Sequence, residues 1–163
     1  MSSSVPAGWE NFFVAEAGAS AALAGLLFVA VSINLTRILA FPHLPGRAAE
    51  ALIVLLSVLQ SATFGLVPNQ GAAGLGVELL ATGLWVVAVT SGIQWRARKH
   101  RHPQSRPLWR VATNQLPAFA FVLCGSFLIA GRTGGIYWLV PATILSFGGG
   151  VFNAWILLIE IQR

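Results

Sequence analysis

NFFVAEAGASAALAGLLFVAVSINL, residues Asn11 to Leu35, is a run of twenty-five residues with one charged side chain, Glu16. A helix over it would be roughly 37 Å long at 1.5 Å of rise per residue, more than the ~30 Å hydrocarbon core of a bilayer. Trp9 and Phe12–Phe13 stand at its start as an interfacial belt. Ala17, Ala21 and Gly25 recur every four residues, the spacing that lets membrane helices approach closely. The run does not read as a cleaved signal peptide. No Lys or Arg precedes it, Glu16 interrupts it, and it is too long for a signal's apolar region.

Four similar runs follow, over about 48–67, 73–95, 111–130 and 136–159. Pro68–Asn69 ends the second, and Gly131–Gly135 makes a tight turn before the fifth. With the first span at 11–35, they use nearly all of the 163 residues, so the chain reads as one transmembrane domain with five helices. The composition agrees. Charged residues make up 9% of the chain, against about 25% in a soluble domain.

The basic residues lie on one side of this arrangement. Arg37, Arg47, Arg96, Arg98, Lys99, Arg101, Arg106, Arg110 and Arg163 fall at one end of the spans, and Arg132 alone at the other. By the positive-inside rule the N-terminus is expected outside and the C-terminus in the cytoplasm. The basic cytoplasmic loop spans 96–110, and Pro103 and Pro107 keep it from being one helix. Its cations Arg96, Arg98, Lys99, Arg101 and Arg106 are expected to meet anionic lipid headgroups. The net charge of +5 does not point to nucleic acid, because no soluble module presents it.

Several chemistries are excluded. The single cysteine, Cys124, lies inside an apolar run, and the chain has no Asp. His43, His100 and His102 all fall in polar connections. No disulfide framework, cysteine zinc site, intramembrane haem ligand or hydrolase constellation is present, so neither an enzyme nor a cofactor is expected. Nine Arg against one Lys suggests a high-GC bacterial gene.

The polar residues inside the spans carry the functional reading. Glu16 and Glu78 each lie roughly 8 Å below the same membrane boundary by helix rise. A charge at such depth costs about 2.5–3.5 kcal/mol on insertion scales and marks a partner, a cavity or an ion path. Glu16, Ser20, Leu23, Leu27, Asn34 and Arg37 share one helical stripe. Glu78, Thr82, Trp85, Val89, Gly92 and Arg96 make a second. The functional reading is a proton or small-cation pathway: Glu16 and Glu78 as an acidic outer vestibule, Leu23 and Leu27 as a constriction, Asn34 and Arg37 at the inner mouth. The plainer reading is that each carboxyl and each leucine only locks packing. Glu50, Asn114 and Asn153 gather as an inner polar belt, where Glu50 is expected to pair with Arg37 or Arg47. Gly148–Gly150 is either a hinge or a site of close helix contact.

The segments GASAALAGLLFVAVSINL (18–35) and LPGRAAEALIVLLSVLQSATFGLVPNQ (44–70) resemble a family of small multi-span bacterial integral membrane proteins of uncharacterised function. The resemblance implies a bacterial plasma membrane setting and carries no activity or site residues. Together these readings lead to an all-α, multi-pass membrane protein, a homo-oligomeric channel-like assembly. The alternative is a structural or regulatory subunit docked on a larger membrane complex.

Overall fold

A computed structural model describes residues 8–42, 44–99 and 107–162, apart from the side chains at 98–99, 107–110 and 161–162. The described residues are helical and contain no strand. The helices are α1 (Trp9–Ile33), α2 (Leu35–Ala40), α3 (Leu44–Gly65), α4 (Ala72–Lys99), α5 (Pro107–Ile129) and α6 (Leu139–Gln162), with a 3-10 turn over Thr133–Trp138 before α6. Five of these elements are long and apolar enough to cross a membrane.

The helix boundaries follow from local chemistry. α1 stops at Asn34, whose side-chain amide donates to the Ala30 carbonyl at 2.9 Å, and the short α2 then continues the chain. α3 begins at Leu44, four residues before the expected start, because Pro45 fits a first turn where its missing N–H is not needed. α5 begins at Pro107 for the same reason. α4 runs past Trp95 to Lys99, into the basic segment. α5 ends in a Schellman turn. Gly131 has a φ of 76°, the Arg132 N–H donates to the Phe127 carbonyl at 2.9 Å, and the Gly131 N–H donates to Leu128 at 3.1 Å.

α3 is the central helix, with half of its most apolar window buried, and α1 is the peripheral one, with 17%. α3 packs against α1, α4 and α6, while the closest pairing of all joins α4 to α5. Glycine sets that distance. A Cβ added at Gly125 would fall 2.5 Å from the Gly76 carbonyl oxygen, and one at Gly83 would fall 2.8 Å from the Ala118 oxygen. The backbones therefore touch along the α4–α5 seam.

The glycine run of α6 serves the same purpose on two sides. A Cβ at Gly149 would fall 2.8 Å from the Thr113 carbonyl oxygen of α5, and one at Gly150 would fall 2.8 Å from Leu55 of α3. Pro117 lies inside α5, and Gly149 approaches the helix at Thr113, four residues before that proline. The main core is built from Phe13, Val58, Leu75, Leu79, Phe121 and Leu128 with their small neighbours.

The small residues of α1 behave differently. Ala21, Gly18 and Gly25 are exposed, and no other part of the chain lies within 4 Å of a Cβ placed at either glycine. The helix turns its Phe13–Ser20–Ala24–Leu27 face to α3, Ala17 packs half-buried against the main core, and Gly18, Ala21 and Gly25 face outward.

Candidate functional site

The polar side chains inside the bundle form two groups, one at each end. At the arginine-rich end Glu50 of α3 is fully buried. It sits on the same face as Ala51, Val54 and Val58, the face that makes α3 the core helix. Asn114 of α5, also fully buried, donates its side-chain amide to the Glu50 carboxyl at 3.0 Å. Asn153 of α6 donates in turn to the Asn114 side-chain carbonyl at 3.3 Å. Three helices are thus joined by a chain of amide donors that ends on a carboxyl oxygen. Arg47, one of the two cations expected beside Glu50, pairs with Glu160 at 3.5 Å, joining the start of α3 to the end of α6.

Gln115 extends this end of the bundle toward α4, donating to the Thr90 and Ser91 hydroxyls at 3.1 Å each. Gln94, one turn beyond the buried Thr90, is itself buried. Neither Thr90 nor Gln94 belongs to the stripe drawn from the sequence through Glu78, Thr82, Trp85 and Arg96. The buried face of α4 runs instead through Leu75, Leu79, Thr82, Val86, Thr90 and Gln94, while Trp85 and Arg96 are exposed. Arg96 lies eighteen residues beyond Glu78, five whole turns, so that stripe runs straight along the helix; the packed face lies about 90° around the helix from it.

At the opposite end Glu16 and Glu78 have separate partners. The Thr143 hydroxyl of α6, which donates to the Val140 carbonyl of its own helix at 3.0 Å, is an electrostatic neighbour of the Glu16 carboxyl. The second carboxyl oxygen of Glu16 is buried without a hydrogen-bond partner. Glu78 accepts a 2.6 Å bond from Gln70 in the α3–α4 connection. The neighbouring hydroxyls turn to their own helices: Ser20 donates to the Glu16 backbone carbonyl at 2.6 Å and Thr82 to that of Glu78 at 2.8 Å.

Between the two ends lies an apolar waist. Leu27 is buried and Leu23 half-buried, packed with Ala24, Ala51 and Leu55 where α1 crosses α3. Ser57 and Ser146 are the buried hydroxyls at this depth. Ser57 donates to the Val54 carbonyl at 2.7 Å, whereas the Ser146 hydroxyl has no partner. The vertical scale follows from packing. A Cβ at Gly65 would lie 2.5 Å from the Phe13 ring, so the antiparallel α1 and α3 are in register there and Glu16 is level with Ala62. Glu50 is twelve residues along α3 from that level, roughly 18 Å away by helix rise. Asn34 caps α1, and Arg37 is exposed on α2. Among the headgroup candidates Arg96 is exposed; the side chains of Arg98 and Lys99, and Arg101 and Arg106 altogether, lie outside the described residues.

No family model, curated protein or solved structure matches the chain. The fold defines its class: an all-helical protein with five helices long and apolar enough to span a membrane.

Proposed function

We propose that this protein conducts protons across a bacterial plasma membrane, along the seam where α1, α3 and α6 meet. The observation that carries the proposal is Glu50, a fully buried carboxyl that accepts from Asn114, itself held by Asn153, inside an apolar bundle. An ionisable group at membrane depth with named partners is the mark of a relay or ion site. Glu16 provides the second carboxyl roughly 18 Å away along the bundle. Ser20, Ser57, Ser61, Thr143 and Ser146 are buried between or beside the two levels. The leucine waist at Leu23 and Leu27 favours protons over hydrated cations, because an apolar constriction dewets and blocks an ion that keeps its water shell. Glu78 and Thr82 complete an acidic vestibule at the Glu16 end.

The working unit in this proposal is a homo-oligomer that meets through the outward small-residue face of α1, with the exposed Arg96 of the basic loop on anionic headgroups. The same face supports a second reading, a structural or regulatory subunit seated against a larger membrane complex. Purified protein in liposomes loaded with a pH-sensitive dye separates the two. Under an imposed potential the native chain is expected to acidify the lumen, and Glu50→Gln and Glu16→Gln each to cut the rate at least about tenfold, the effect of about 1.4 kcal/mol on a barrier. A flux equal to that of empty liposomes, or one unchanged in both variants, overturns proton conduction and favours the subunit reading.

A further inference from the structure

An apolar groove of about 240 Å³ lies between α1 and α6. Leu23, Leu26 and Ala30 form one wall, Ala154 and Leu158 the other, and Leu55 of α3 the floor. Its volume exceeds the ~150 Å³ of an apolar cavity that stays dry and takes up a benzene-sized guest. Leu26 is 69% exposed and Leu158 is 42% exposed, so the groove opens sideways, away from the bundle axis.

The α1 wall continues into a cation. Leu23, Leu26, Ala30 and Ile33 are spaced 3-4-3 along one stripe of α1, and α2, which carries Arg37, starts after the break at Asn34 with the bond from the Ile38 N–H to the Asn34 carbonyl at 2.9 Å. Ile38, the neighbour of Arg37, is buried in one cluster with Leu157, a residue of the groove's α6 wall. Arg37 thus stands at the arginine-rich mouth of the groove, one residue before Ile38 of that cluster. It is exposed and makes no ion pair among the described residues.

We propose that this groove is a binding site for one anionic phospholipid, with an acyl chain between α1 and α6 and the phosphate on the Arg37 guanidinium. An aliphatic slot joined at one end to a single exposed guanidinium matches a chain joined to a phosphate. The guanidinium fork pairs with phosphate oxygens through two parallel hydrogen bonds. The site is separate from the basic segment around Arg96; it shares Leu23 and Leu27 with the leucine waist, and its test reads lipid retention, not flux.

Native mass spectrometry of the full chain, released from mild detergent with added phosphatidylglycerol or phosphatidylcholine of identical chains, tests the site. The native chain is expected to keep one phosphatidylglycerol, favoured about fivefold over phosphatidylcholine by one cation near an anionic headgroup. Arg37→Gln is expected to level the two lipids. Ala154→Phe fills the groove and is expected to lose both; Ala30→Phe does the same from the other wall, and size-exclusion profiles confirm that each filled variant is folded. Phosphatidylglycerol kept by all three variants would place the lipid on the basic loop and overturn the proposal. Loss of a lipid-free dimer in the filled variants would overturn it too, giving the groove to a second copy of the chain.

Discussion

Asn114 has both ends of its amide engaged inside the bundle, accepting from Asn153 and donating to Glu50. Replacing it with Ala removes both bonds and leaves the Asn153 amide with one acceptor fewer in a buried place. The expected cost is about 1–3 kcal/mol, read from unfolding in an SDS titration. An unchanged transition would show that the three-helix link contributes nothing. Ser146 should respond in the opposite way. Its hydroxyl is buried without a partner, so Ser146→Ala is expected to unfold no earlier than the native chain while slowing proton flux severalfold. Lower stability with unchanged flux would make Ser146 a packing residue and remove it from the pathway. At this scale the sequence marked Glu16 and Glu78 as costly in hydrocarbon and set Glu50 in an inner polar belt, but it did not show what holds them. Their partners Thr143, Gln70 and Asn114 are ordinary polar residues in sequence, and only packing chose them.

Between elements, glycine does two opposite jobs that look alike in the sequence. Gly125 lets the α5 backbone touch α4, while Gly25 faces outward with nothing near it. Gly125→Ala forces a methyl against the Gly76 carbonyl and Leu80, and overpacking of this kind costs about 1–3 kcal/mol. Gly25→Ala meets no atom of its own chain and removes unfolded-state freedom, a gain of about 0.4–1 kcal/mol. Thermal unfolding of the two variants should therefore shift in opposite directions, and a shift in the same direction would contradict the seam described for α4–α5. The repeat Ala17, Ala21 and Gly25 was visible from spacing alone. Which of its members pack inward was not: Ala17 lies half-buried against the core while Ala21 and Gly25 face outward, because the larger apolar areas of Phe13 and Leu27 take α3.

For the whole molecule, the expected orientation can be checked with one cysteine at a time. Cys124 is fully buried and is replaced with Ala to clear the background. A cysteine at Gly134, in the exposed turn before α6, is expected to react with an impermeant maleimide added outside intact cells. A cysteine at Thr36, exposed on α2 at the arginine-rich end, is expected to react only after the cells are opened. The reverse pattern would overturn the orientation drawn from the arginines, and labelling of both from outside would overturn the spanning arrangement.

The sequence by itself determined the five apolar spans, the gathering of arginine at one end and the rarity of charge between them. Each of these is a sum over neighbouring residues, set by the cost of moving side chains and backbone from water into oil, and a sum of that kind can be read without knowing which helices touch. Only the tertiary structure decided that α3 is central and α1 peripheral, that Glu50 rests on Asn114 and Asn153, that Arg47 reaches Glu160, and that a groove opens between α1 and α6. Those are contacts between residues far apart in the chain, fixed by which small residues allow two backbones to meet, and helical spacing within one span contains no information about the span beside it.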